Sequence, residues 1–154
     1  MCLTTNLKSR SIAEEDIVVF KVLLKKGKIF KRYRAPCYDF TYRKKRQYKT
    51  EFKIRESFAF GDGTINIENG FHSFDGISDA VAFGSLEVQS QIPHSKIAIC
   101  KFIIPKGSIY YTGDYTVYSP KNQKILNCIS YASNAIKFIE EVKDVSEYWY
   151  HRTA

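Results

Sequence analysis

The sequence lacks any close pairing of metal-ligating residues. Its four Cys and three His form neither a C-x-x-C pair nor an H-x-x-x-H pair. The residues concerned are Cys2, Cys37, Cys100, Cys128, His72, His94 and His151. This spacing argues against a zinc site, a thioredoxin-type motif and a disulfide framework. We therefore predict reduced thiols, no metal ion and no cofactor.

A long apolar run is also missing. No stretch approaches the length of about 20 apolar residues that crosses a bilayer. The first residues lack the charged start, apolar stretch and small-residue cleavage site of a secretory signal. From these two features we expect a cytoplasmic protein with no membrane partner.

Candidate catalytic residues are scarce. Cys2 follows the initiator Met, and an exposed N-terminal thiol beside an α-amine is the nucleophile of one enzyme class. Polar residues separate Cys2 from the first apolar strand, and the sequence pairs it with no base. We therefore predict no catalytic residue, and the sequence favours binding over catalysis.

Aromatic residues are abundant, with eleven Tyr and eleven Phe against one Trp and one Met. Such side chains suit the half-buried surface of a sheet. At 154 residues, with a hydrophobic share of 44%, the chain has the size and composition of one globular domain. We predict a single α+β domain over residues 1–154, with a mainly antiparallel sheet and two or three helices.

Hydrophobic periodicity predicts the strands. Ile17 to Leu24 and Ile97 to Ile104 are almost wholly apolar, as expected of strands covered on both faces. The glycine after Lys26 predicts a hairpin that returns through the residues up to Arg34. Tyr42 to Arg55 alternates apolar and polar residues, which predicts one further strand with the basic run 43–46 at its tip. Three more strands are expected in 64–71, 108–113 and 124–130.

Three helical segments are predicted from caps and from three-to-four residue spacing. Ser11 and Glu14 have the spacing of a capping box. Ile77, Ala80 and Val81 repeat at helical intervals after the possible caps Asp75 and Ser78. The C-terminal helix would follow a cap at Ser133 or Asn134. Its apolar face would contain Ile136, Ile139, Val142, Val145 and Trp149.

Charge is concentrated in one region. Residues 21 to 55 contain fourteen Lys or Arg and two acids, a local net charge of +12 in a chain of +8. Seven Phe or Tyr are interleaved with these cations. Cations neutralise phosphates and aromatic faces stack on bases, so the pattern predicts binding of nucleic acid or of an acidic protein surface. The candidate binding residues are Lys31, Arg32, Arg34, Arg43, Lys44, Lys45 and Arg46. A solvated surface without a partner is the alternative.

Several stretches resemble a family of short uncharacterised proteins from gut bacteria and their phages. They are the opening "MCL", "AEEDIVVFKVL" from Ala13, "GFHSF" from Gly70 and "IIPKGSIYYTG" from Ile103. The resemblance covers most of the chain. It implies an accessory protein of a bacterium, a phage or another mobile element, without an established activity.

A second resemblance is to ADP-ribosyltransferase-like domains. It is carried by "GFHSFDGISDAVAFG" from Gly70 and by "AICKFIIPKGSIYY" from Ala98. It implies a pocket for NAD or ADP-ribose formed by Phe71, His72, Ser73 and Phe74. Where that family places a glutamate, Val117 to Leu126 contains Lys121 and Lys124 and no acid. The resemblance therefore implies a catalytically degenerate nucleotide-binding domain, which is the alternative function.

Overall fold

The computed structural model describes residues 3–36, 39–56, 63–85, 96–119 and 124–145. These residues form thirteen strands, one α-helix and a short 3-10 turn. The strands are β1 Leu3–Asn6, β2 Ser11–Ile12, β3 Ile17–Lys26, β4 Arg32–Arg34, β5 Thr41–Tyr42, β6 Gln47–Lys49, β7 Lys53–Glu56, β8 Thr64–Asn69, β9 Phe71–Phe74, β10 Ile97–Ile104, β11 Ile109–Ser119, β12 Lys124–Ser133 and β13 Ala135–Glu141. The helix is α1 Ile77–Phe83, and the 3-10 turn is Leu7–Ser9.

The strands form two antiparallel sheets. The small sheet has the order β1-β8-β7, and the large sheet has the order β2-β11-β12-β9-β3-β10-β13-β6. On the side of β3 away from β10, β9 pairs at Phe20 and β4 pairs from Leu24 to Lys26. The β3–β4 pair is the predicted hairpin, and β5 extends it by pairing with β4.

Two strands at the centre of the large sheet bury residues on both faces, as their apolar sequences predicted. In β10, Ala98, Cys100 and Phe102 belong to one core, whereas Ile97 and Ile99 belong to a second core that includes the helix. This division follows from the two-residue period of a strand. The small sheet covers a third apolar cluster that contains Leu3 and Tyr111.

The large sheet folds back on itself at Asn134. This single residue separates β12 from β13, although three strands lie between them in the sheet. Residues two apart in sequence are at most about 7 Å apart, whereas four strand spacings in a flat sheet span about 19 Å. The sheet is therefore strongly bent, and Phe71 of β9 reaches the same core as Phe102 and Phe138.

The predicted α+β class is wrong, because the described part of the chain is mostly antiparallel sheet with one short helix. The clearest error is the predicted C-terminal helix, where the structure has strand β13. Ile136 and Phe138 are buried and Lys137 between them is exposed, so the period is two. β13 pairs with β10 and β6, and its β-branched and aromatic residues favour such a position. Trp149 lies outside the described residues.

The other helix signals also need correction. Ser11 belongs to β2 instead of capping a first turn, and the Ala13 amide donates to the carbonyl of Ser108. The helix predicted after Phe74 is present, but its N-cap is Gly76, and no side chain caps it. The predicted strand from Tyr42 to Arg55 is divided into β5, β6 and β7, because the chain turns at the basic run and again after Lys49.

Neither a membrane-spanning helix nor a metal-binding cluster occurs among the described residues. None of their helices is long and apolar enough to cross a membrane. Within the same ranges, no group of three or more His, Cys, Asp or Glu side chains is arranged to hold a metal ion.

Candidate functional site

A basic cleft of about 760 Å³ opens between β4 and the turn that joins β5 to β6. Five of the seven cations predicted from the sequence line it. They are Lys31, Arg32, Arg43, Lys44 and Arg46. Its other walls are four aromatic rings, those of Tyr33, Phe40, Tyr42 and Tyr48. The described lining residues include no carboxylate, so the cleft combines positive charge with aromatic surface.

The β3–β4 hairpin positions the first two cations. Its pairing ends at Lys26 and Arg32, so the intervening residues form the connecting loop. Gly27 has φ +93°, and a Cβ there would lie 2.4 Å from the Phe30 carbonyl oxygen. Only glycine fits such a tight reversal without displacing the backbone. The loop therefore delivers exposed Lys31 and Arg32 to the cleft.

Backbone hydrogen bonds fix the turn that supplies the other three cations. The Lys45 amide donates to the carbonyl of Phe138 at 2.8 Å, and the Phe138 amide donates to the carbonyl of Arg46 at 3.0 Å. The Arg43 amide donates to the Tyr48 hydroxyl at 2.7 Å. These bonds tie the turn to β13 and to the cleft wall. Four consecutive cations are thus held beside the central core while remaining exposed to solvent.

The aromatic wall is a packed cluster centred on Phe40. Its ring centroid lies 4.8 Å from that of Tyr42 and 5.3 Å from that of Tyr48, both edge to face. Tyr42 packs in the same way on Phe102 of the core, at 5.2 Å. Edge-to-face packing fixes ring orientation. Phe40 nevertheless stays 38% exposed and so presents a fixed aromatic surface to solvent.

An internal network balances the charge beneath the cleft. Glu141 accepts a hydrogen bond from the Tyr33 hydroxyl at 2.8 Å and pairs with the Lys25 ammonium at 3.0 Å. Burial by itself raises the pKa of Glu141, but these two hydrogen bonds and the charges of Lys25 and Lys31 lower it below its ordinary value. Glu141 therefore stays ionised, with both oxygens engaged inside the protein.

The other two predicted cations lie outside this cleft. Arg34 forms an ion pair with Asp39 at 3.2 Å and lines an adjoining cleft. Lys45 is exposed at the turn with φ +61°. Sequence reasoning did not name the aromatic lining residues as site residues. The signal for them was the interleaving of Phe and Tyr with the cations, but alternation alone does not show which rings reach a cleft.

The residues proposed from the second resemblance lie in β9. Phe71, His72, Ser73 and Phe74 are all buried. Phe71 lines a cleft of about 400 Å³ beside Gly70 and Phe40. The nitrogens of His72 and the hydroxyl of Ser73 have no hydrogen-bond partner among the described residues.

Burial dominates the electrostatics of His72. Loss of hydration, together with the charge of nearby Lys21, lowers its pKa to about 3. The Lys21 ammonium donates to the carbonyl of His72 and lies 5.6 Å from the centroid of the Tyr42 ring. His72 is therefore a neutral, enclosed side chain at neutral pH, and Lys21 links its strand to the wall of the basic cleft.

No protein-family model matches the chain, and neither a curated protein nor a solved structure is significantly similar to it.

Proposed function

We propose that the protein binds a polyanionic partner in its basic cleft, and that nucleic acid is this partner. The observation that supports the proposal is the convergence of five exposed cations, from two separate segments, on one cleft whose aromatic wall is exposed at Phe40 and partly exposed at Tyr48. An acidic protein surface offers the same charge but gives the aromatic wall no comparable planar partner. The role is that of a non-enzymatic accessory protein of a bacterium or phage, acting in the cytoplasm.

The electrostatic part of the proposal follows from counterion release. Each phosphate neutralised by Lys or Arg frees condensed counterions, so affinity falls steeply as salt increases. Three of the cleft cations, Arg43, Lys44 and Arg46, lie on a turn whose backbone is fixed by hydrogen bonds to Phe138. Little conformational freedom is therefore lost when the turn binds an anion.

The alternative of a degenerate nucleotide pocket at Phe71 to Phe74 stays a prediction. His72, Ser73 and Phe74 are at most 7% exposed. A ligand would reach these side chains only if the residues packed against them moved. The geometry therefore favours the basic cleft as the binding site.

Charge reversal in the turn tests the proposal. We expect the triple variant Arg43→Glu, Lys44→Glu and Arg46→Glu to lose binding to a labelled oligonucleotide, measured by fluorescence anisotropy at several salt concentrations. The fold should survive, because exposed charges contribute little to stability. The matched control reverses the exposed cations Lys8, Lys96 and Lys106 and changes net charge equally. Equal losses in both variants, or wild-type binding that does not respond to salt, would contradict the proposal.

A further inference from the structure

The β3–β4 loop exposes two adjacent apolar residues. Ile29 is 87% exposed and Phe30 is 82% exposed. A single exposed apolar side chain is ordinary, but a contiguous pair at a loop tip is a feature of binding surfaces. Three lysines surround the pair in sequence, Lys26, Lys28 and Lys31. The loop thus offers an aromatic ring within a positive field.

A second cleft, of about 540 Å³, lies at this loop. Its lining includes Lys28, Phe30 and the ion-paired residues Arg34 and Asp39. Arg32 and Thr41 line both this cleft and the basic cleft, so the two adjoin at the β4–β5 ribbon. An exposed phenylalanine belongs to each, Phe30 to one and Phe40 to the other.

We infer that the partner is a single-stranded nucleic acid whose bases stack on Phe30 and Phe40 while its phosphates contact the cations of the two adjoining clefts. The inference rests on the proposed function and specifies its ligand. Cations that track a backbone and aromatic residues that receive bases are the two components of single-strand binding sites. The shared residue Arg32 provides a contact where the strand passes from one cleft to the other.

Geometry favours a single strand over a duplex. The bases of a duplex stack on each other, so a base must be unstacked and unpaired before a protein ring can contact its face. A single strand presents its bases freely. Phe30 projects from a loop tip, where such a base can reach the ring without any change in the protein.

The same geometry argues against a bilayer as the partner. A membrane surface would contact the loop tip, where Ile29 and Phe30 could insert between headgroups. Phe40 lies in a cleft wall between Tyr42 and Tyr48, and a broad, flat surface does not enter such a concavity. Only a narrow, flexible polyanion contacts both rings together with the cations of the turn.

The test compares four ligands by anisotropy or co-sedimentation. They are a labelled single strand of about ten nucleotides, the same sequence as a duplex, an abasic strand of equal length, and vesicles of phosphatidylcholine with phosphatidylserine. We expect the single strand to bind most tightly. Phe30→Ala should weaken its binding about 5- to 150-fold, the equivalent of about 1 to 3 kcal/mol of stacking. The abasic strand should bind wild type and Phe30→Ala equally.

Phe30→Tyr keeps an aromatic ring and should restore single-strand binding. Ile12→Ala removes another exposed apolar side chain, 58% exposed and in strand β2, and should leave binding unchanged. Equal affinity for abasic and normal strands, or no effect of Phe30→Ala, would overturn the inference but leave the proposed function intact. Vesicle binding that depends on Phe30, without oligonucleotide binding, would assign the loop to a membrane. If reversing the turn cations changes the binding of none of the four ligands, the proposed function itself is refuted.

Discussion

The ammonium of Lys44 lies 5.7 Å from the centroid of the Tyr33 ring. The hydroxyl of the same ring donates to Glu141, which also pairs with Lys25. Tyr33 is only 3% exposed, so one buried ring contacts a cation of the cleft through its face and an internal carboxylate through its hydroxyl. The stability of the fold and the position of a binding residue therefore depend on the same side chain.

The Tyr33→Phe variant separates these two roles. It keeps the ring beneath Lys44 but removes the hydrogen bond to Glu141. We expect the free energy of unfolding to fall by about 1 to 3 kcal/mol, because a partly buried charged group loses a donor. Urea unfolding measures this change, and oligonucleotide affinity should stay near that of the wild type.

The control for this variant is Tyr110→Phe. Tyr110 packs against Tyr131 at 5.8 Å between ring centroids, and its hydroxyl forms no hydrogen bond to a described group. Loss of the Tyr110 hydroxyl should therefore change the free energy of unfolding little. Equal stability of Tyr33→Phe and wild type would show that the Tyr33–Glu141 bond contributes nothing in solution.

Much of the sheet could be predicted from the sequence because its strands carry strong local signals. The apolar runs of β3 and β10 have no polar face, and a glycine marks the hairpin that follows β3. The error in β13 has a physical cause. The sequence around Ile136 and Ile139 fits both a two-residue and a three-to-four-residue period, and antiparallel pairing with β10 decides between them.

The candidate site was only partly predictable. The basic run 43–46 was recognised from its concentrated charge and its predicted place at the tip of a strand. That it shares a cleft with Lys31 and Arg32 depends on the pairing of β4 with β5, a contact between segments that periodicity does not specify. The strand that pairs with β9 beside His72 was likewise hidden, because β12 lies about sixty residues later in the sequence.

Acid should destabilise the protein through His72. Its pKa in the fold, about 3, lies below the unfolded value of about 6.5. The unfolded chain therefore binds the extra proton between these values. The free energy of unfolding therefore has its full value above about pH 6.5. Below that pH it falls by up to about 1.4 kcal/mol for each pH unit. Denaturant titrations between pH 7 and pH 5 measure this slope.

The His72→Leu variant isolates the effect. It removes the titrating group, and neither ring nitrogen has a hydrogen-bond partner among the described residues to lose. We expect the variant to be at least as stable as the wild type at pH 7, with a flatter pH profile. Parallel profiles for the two proteins would show that His72 is not the group that titrates.

Gly113 allows the small sheet to approach the large one. A Cβ at this position in β11 would lie 2.9 Å from the carbonyl oxygen of Thr4 and 3.0 Å from Cδ1 of Leu3. The first contact is with backbone, so it cannot be relieved by rotating a side chain. Gly113→Ala should push β1 outward and open the apolar cluster that contains Leu3, Ile65 and Ile67. We expect the free energy of unfolding to fall by about 1 to 3 kcal/mol, as at other overpacked sites.

The matched control is Gly76→Ala, where the nearest heavy atom to an added Cβ, apart from chain neighbours, is Ser78 Oγ at 3.9 Å. Gly76 has φ −127°, which alanine adopts freely, and replacing glycine at an N-cap costs less than about 1 kcal/mol. In thermal unfolding, the melting temperature of Gly113→Ala should therefore be clearly lower than that of Gly76→Ala. If Gly113→Ala melts at the wild-type temperature, β1 does not pack against β11 as closely as the structure shows. Strand β1 is then held in place only by its ladder with β8.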